Sequence, residues 1–236
     1  MTMTPQTPVV RRSALESRHD VLGATYESDV DRWPRHYGDP DGERAAAGVA
    51  VGLAEIGPLE EILLRGPGAG DIAERLHGGA LPTPPTLIRG VALETGGAVG
   101  ELWTLAPDEI LLVGPASGWA RHAVGALASA DVSAIDMTGA RTSLRLAGPA
   151  APAVLSELCP ADTTPRSMAD GALVQAPLAG VRAFIARLDA DGHPGYTMMV
   201  ARDEAAYVWD ALREIGDGHG LVPVGPEAVA ADGGTR

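Results

Sequence analysis

The sequence predicts an α+β protein made of two repeated halves, each a strand, a helix, a hairpin and a second helix, with a central channel between them. Two observations carry this. An apolar strand, a Gly-Pro corner and an amphipathic helix recur in PLEEILLRGPGAGDIAERL (58–76), DEILLVGPASGWARHAVGAL (108–127) and TSLRLAGPAAPAVLSEL (142–158). The corners at Gly66 and Gly148 lie 82 residues apart, and the same order of elements follows each, so the chain reads as an internal repeat spanning about 58–130 and 140–220.

Each corner has a local cause. Glycine permits backbone angles that end a strand, and proline in the first helical turn loses no hydrogen bond because its N–H has no partner there. After the first unit, LIRGVALE (87–94) and GELWTLA (100–106) read as strands across the Thr95-Gly96-Gly97 turn, which implies an antiparallel hairpin. After the third unit, GVRAFIARL (180–188) and GYTMMVA (195–201) read as a second pair across DADGHP. In the helix that follows, Ala206, Val208, Trp209, Leu212 and Ile215 form one apolar face, and glycines at 216, 218 and 220 stop it. A pseudo-twofold relation would bring the turn at Gly96-Gly97 and the turn from Gly192 to Gly195 to one central site. Residues 1–12 and 226–236 are poor in large apolar side chains and are expected to fray as flexible tails around a single domain over 13–225.

Composition excludes several functions. All 18 basic residues are arginines, so Schiff-base lysine chemistry and a GxxxxGK phosphate loop are absent. The net charge of −13 makes nucleic acid and anionic membranes poor partners. No apolar window has the length of a membrane helix or signal segment, and the lone Cys159 forms no internal disulfide, so a cytoplasmic protein is expected. Cys159, before Pro160, reads as a small buried residue rather than a nucleophile. GPGAGD lacks dinucleotide-loop spacing and reads as a structural corner. The six histidines show no metal-site spacing, and most of them read as surface or helix-end residues. His193 differs because it sits in the DGHPG turn.

Glu101 is the lone acid of LETGGAVGELWTL. Strand alternation places it on one face with Val99 and Trp103, opposite Leu102 and Thr104. If that face looks inward, the carboxylate needs a partner, such as a ligand with ring N–H donors; if the strand is a solvated edge, Glu101 is simply exposed.

These pieces in this order resemble the glycine-cleavage T-protein (aminomethyltransferase) superfamily of folate-binding proteins. RRSALESRHDVLGATYESDVDRWPRHYG is similar to the family's opening, GLAEIGPLEEILLRGPGA and GGAVGELWTLAPDEILLVGPAS to its first-half strands, and GHPGYTMMVARDEAAYVWDALREIGDGHGLVPVG to its second-half strand, helix and Gly-Leu-x-Pro-x-Gly. The resemblance covers about residues 12–225. It implies tetrahydrofolate or a one-carbon derivative in the central channel, where the family keeps two acids. Gly100 stands at the first of these, with Glu101 one residue beyond; His193 stands at the Glu of the second-half motif and Thr197 at its final Glu. The resemblance further implies Glu101 and His193 as acid/base or hydrogen-bonding groups, Gly96, Gly97 and Gly195 against the ligand, and Trp103 or Tyr196 stacked on its ring. No metal is implied.

The chain ends soon after GLVPVG, short of the family's C-terminal barrel, and in this it resembles the gamma subunit of heterotetrameric sarcosine oxidase, as does CPADTTPRSMADGA. Two functions follow: a folate-dependent aminomethyl or methyl transferase acting on a small-molecule substrate, or a non-catalytic subunit with protein partners in a larger oxidase. A non-folate ligand in the same channel is a third.

Overall fold

The computed structural model describes residues 12–26, 32–92 and 99–231. In chain order the elements are α1 (Glu16–Val21), β1 (Thr25–Tyr26), β2 (Pro34–His36), α2 (Pro40–Val49), β3 (Val51–Ile56), β4 (Leu59–Arg65) and α3 (Ala69–His77). The first half continues with β5 (Thr86–Ala92), β6 (Val99–Ala106), β7 (Glu109–Pro115) and α4 (Trp119–Leu127). The second half comprises β8 (Ser133–Asp136), β9 (Arg141–Ala147), α5 (Ala151–Leu158), β10 (Leu173–Leu178), β11 (Val181–Arg187), β12 (Gly195–Ala201), α6 (Ala205–Asp217) and β13 (Leu221–Pro223).

The strands form two larger sheets, ordered β5-β6-β7-β4-β8 and β10-β11-β12-β9-β3-β13. They stack face to face through Leu87, Trp103, Leu105, Leu111 and Val113 on one side and Leu173, Ala186, Leu188 and Met199 on the other. Helices cover the outer faces: Ala69, Ile72, Ala73, Trp119 and Ala120 pack on the first sheet, and Val154, Leu155, Val208, Trp209 and Leu212 on the second. The central strands therefore bury both faces: β4, β7, β9 and β12 are buried along most of their length.

The repeat is real, and the halves are interlocked. β3 precedes β4 in sequence but pairs with β9 of the other sheet, while β8 precedes β9 but pairs with β4. The 82-residue offset between Gly66 and Gly148 also separates the starts of these crossing strands, Val51 and Ser133. The crossing explains two of the corner glycines. Gly66 (φ +133°) lies where a Cβ would sit 2.1 Å from the Asp131 carbonyl oxygen, just before β8. Gly148 (φ +135°) is its counterpart, with a Cβ position 2.4 Å from the Ala47 oxygen and 2.6 Å from that of Ala50, just before β3. Gly114 differs from both: it lies within β7, paired with Glu60.

Sheet order corrects the equivalence of the hairpins. Between each first strand and each second helix lie three strands, so β5-β6-β7 match β10-β11-β12. The β5–β6 turn, which contains Gly96 and Gly97 and lies outside the described residues, corresponds to the Ala179-Gly180 turn rather than to DADGHP. The LVQAPL strand (β10) carries no clear apolar alternation, with Leu173 and Leu178 buried at its ends and mixed burial between them. The two sheets also join at their edges: Thr86 bridges Ala172, the Leu87 N–H donates to the Gly171 carbonyl at 3.1 Å, and Arg89 pairs with Asp170 at 3.2 Å.

One further expectation is corrected. The segment from 226 does not begin as a frayed tail: Pro226–Val229 form a 3-10 turn, Val229 is 2% exposed, and Ala231 packs against the inter-sheet core. Among the histidines, His19, in the last turn of α1, is wholly buried. Its Nε2 lies 2.8 Å from Glu55 Oε2, Ser13 donates to the same oxygen, and the Tyr37 hydroxyl lies 2.8 Å from Nδ1, which ties the N-terminal segment to β3.

Candidate functional site

Glu101 and Trp103 lie on the face of β6 that looks toward the second sheet, because Leu102 between them joins the core under α3 and α4. The inward alternative is therefore the one observed. The Trp103 indole N–H donates to Glu101 Oε2 at 2.8 Å, so the acid's partner is its own neighbour two residues on. Burial pushes the Glu101 carboxyl above its ordinary range, opposed by that hydrogen bond and by the positive charges of Arg145 and Arg89. Gly100, at the family's acid position, alternates to the opposite face.

Across from Glu101 stands Arg145 of β9, 2% exposed. Its Nε donates to the Val229 carbonyl at 2.9 Å, Nη1 to the Thr197 hydroxyl at 3.3 Å and Nη2 to the Leu188 carbonyl at 2.5 Å. These partners are neutral, and burial lowers the guanidinium to about 10, against the pull of Glu101 and Asp189. Around the pair lies a charged rim: Arg187 forks onto Asp189 at 2.9 and 2.7 Å, the Asp189 N–H donates to Asp170, and Asp170 holds Arg89. A lone arginine in TSLRLAG gave no sign of this, since its acceptors lie 43, 52 and 84 residues away.

The remaining candidates divide. Gly195 is buried against this centre, where a Cβ would meet the Leu188 oxygen at 2.3 Å and Arg145 Nη2 at 2.7 Å, so its close approach is to the chain's own arginine. Thr197 is held by the same guanidinium. Tyr196 points to the other face of β12; it is fully buried in the α5–α6 core with its hydroxyl donating to the Thr163 carbonyl at 2.6 Å, a placement that does not suit stacking on a channel ligand. His193 lies half-buried in the β11–β12 turn, joined to Ala190 through the backbone, and its imidazole makes no hydrogen bond among the described residues. Gly96 and Gly97 lie outside the described residues. The structure thus gathers Glu101, Trp103, Gly195 and Thr197 around Arg145, and leaves Tyr196 out.

These residues fit a tetrahydrofolate poorly. Gly100 offers no side chain, Thr197 is already engaged, and a buried guanidinium occupies the inter-sheet face beside Glu101. Among the described residues no group of His, Cys, Asp and Glu could hold a metal, and no helix is long and apolar enough to cross a membrane.

The sequence pattern of the GCVT N-terminal domain matches residues 17–231. The aminomethyltransferases of Streptomyces coelicolor and Streptomyces avermitilis are each 31% identical, over 92% and 91% of this chain. The chain spans 60% of the length of each of these relatives. Among solved structures, the glycine cleavage system aminomethyltransferase T of Bartonella henselae superimposes with a TM-score of 0.73 at 21% identity, covering 93% of this chain and 61% of that one. A chain of the heterotetrameric sarcosine oxidase of Corynebacterium sp. U-96 superimposes with a TM-score of 0.58 at 23% identity, covering 78% of this chain and 93% of that one.

Proposed function

Because this chain belongs to the family of the GCVT N-terminal domain, we propose that it serves as a non-catalytic subunit, of the gamma type, in a sarcosine oxidase-like complex. The observation that carries this reading is Arg145. A buried arginine bonded to Val229, Thr197 and Leu188 fills the space between the sheets in which the family's folate would lie. The arrangement favours a fixed scaffold over turning over a substrate, since a satisfied buried polar network rigidifies its surroundings. The extent of the match to the Corynebacterium oxidase chain, 93% of that chain's length, supports the same reading.

The test is isolation of the tagged full chain from its native host. Recovery in a fixed ratio with flavin-bearing oxidase chains is the expected result. Recovery as a free monomer carrying bound folate overturns it.

One observation favours a second reading, folate-dependent one-carbon transfer to a small molecule. Glu101 retains a carboxylate on the inter-sheet face, with its pKa raised by burial, as acid/base chemistry requires. Cytoplasmic location accompanies either reading.

A further inference from the structure

The two crossing strands, β3 and β8, are equivalent in the repeat, yet the fold treats their outer edges differently. On β3 that edge is covered, because β13 runs parallel to it with Leu221, Val222 and Pro223 against Val51, Gly52 and Leu53. β8 is the last strand of its sheet, and among the described residues no strand pairs with its other side.

Register decides which groups point outward there. The Met137 N–H donates to the Glu61 carbonyl at 2.9 Å, and Ile135 stands opposite Leu63, so residues 133, 135 and 137 turn their backbone groups toward β4. Ala134 and Asp136 turn theirs away from the sheet. Ile135 is 42% exposed, and among the described residues it is the one strand member of the exposed large apolar side chains. Natural sheet edges are commonly blunted by lysine, proline or a bulge. Ser133, Ala134 and Ile135 carry none of these, and the strand's single charge, Asp136, accepts from the Thr138 N–H at 2.9 Å in its own turn.

We propose that β8 pairs with β8 of a second copy of this chain, antiparallel about a twofold axis at Ile135. The edge is self-complementary in that register. Ala134 of each copy faces Asp136 of the other, and each such pair exchanges both of its N–H···O=C bonds. Ile135 stands against its own equivalent at the non-hydrogen-bonded centre, where side chains of opposed strands come closest. No charge directly faces a charge: the two Asp136 carboxylates lie on the diagonal, about 7–8 Å apart, where salt weakens their repulsion. The contact is isologous, so it closes at two copies and joins the two five-stranded sheets into one. A four-residue edge buries little surface, which makes this a weak, reversible dimer at the low end of specific interfaces. The pairing does not rest on the reading of Arg145.

Sedimentation equilibrium of the full chain, from about 5 to about 300 μM, spans the range in which so small an interface associates. A monomer–dimer equilibrium is expected, weakened at least tenfold in Ala134→Pro. That change spares the chain's own ladder, because the lost N–H points away from β4 and proline is tolerated at such edge positions. Ile135→Asp, which sets two acids against each other at the axis, should weaken it at least as much. Amide exchange of the wild type gives a readout that survives if either variant folds poorly: Ala134 and Asp136 should slow as concentration rises, while Gly180 in the β10–β11 turn does not change. A monomer throughout the range, a dimer that Ala134→Pro leaves intact, or exchange at Ala134 and Asp136 that ignores concentration overturns the pairing.

Discussion

Replacing Gly148 by alanine tests the interlocked architecture at its tightest point. The residue holds φ +135°, which an L side chain rarely adopts, and its new Cβ would stand 2.4 Å from the Ala47 oxygen and 2.6 Å from the Ala50 oxygen. Two costs add. The backbone strain alone is about 1–3 kcal/mol, and forcing the approach of β3 outward to relieve the overlap resembles overpacking a core, about 1–3 kcal/mol more. The expected loss is therefore about 2–6 kcal/mol, centred near about 4, which for a chain of this size lowers the melting midpoint by roughly 10 °C. Gly180 supplies the control: it too has positive φ, +83°, but nothing lies within 4 Å of its Cβ position, so Gly180→Ala should lose only about 1–2 kcal/mol. Urea unfolding of both variants reads the difference. If Gly148→Ala unfolds within 1 kcal/mol of Gly180→Ala, the strand crossing does not constrain the corner and the explanation of the Gly-Pro repeat is wrong.

Three further outcomes are expected. Gly66→Ala should behave like Gly148→Ala, because its Cβ would stand 2.1 Å from the Asp131 oxygen before the other crossing strand; a loss confined to one corner would break the proposed symmetry. Glu60 accepts from the Gly118 and Ala120 N–H groups at 2.9 and 3.0 Å and so caps α4, and Glu60→Gln should cost about 1–2 kcal/mol with faster amide exchange at both positions. Unchanged exchange there would refute the cap. The third concerns pH. Burial raises the Glu101 carboxyl in the folded state, so the native chain holds that proton more tightly than the unfolded one. Its stabilising contribution is full below the ordinary carboxylate range and is lost as pH rises from that range through the raised value. Glu101→Gln keeps an acceptor for Trp103 and should flatten this slope in unfolding measured between pH 4 and 8; an unaltered slope would place the effect elsewhere.

Local signals made much of the fold legible. Gly66-Pro67 and Gly148-Pro149 marked the repeat because corner chemistry is local, and the alternation of Glu101, Leu102 and Trp103 told which residues share a face. Pattern does not say which sheet a strand joins. β3 and β8 cross to the opposite half through pairings with β9 and β4 that no neighbouring residue announces, and β8 (SAID) is too short and exposed to show a period. The equivalence of the hairpins is illegible for the same reason: β10, with its pattern of mixed burial, gives no strand signal of its own. At the site, the strand alternation gave Glu101 its face and Trp103 as its neighbour. Arg145 stayed hidden because its burial is made by Leu188, Thr197 and Val229, partners brought near only by the complete fold. His19 was hidden likewise, its carboxylate 36 residues away on β3. Val229 lay in a stretch of small residues that composition reads as a tail, yet it packs where the second sheet needs a cover.

The central claim is that Arg145 closes the space in which the family's folate would sit. Calorimetric titration of the purified wild-type chain with tetrahydrofolate, beside Arg145→Ala shown by circular dichroism to be folded, tests it most directly. The account predicts no saturable heat from the wild type and measurable binding once the guanidinium is removed. Stoichiometric binding by the wild type, unweakened relative to the variant, would contradict it.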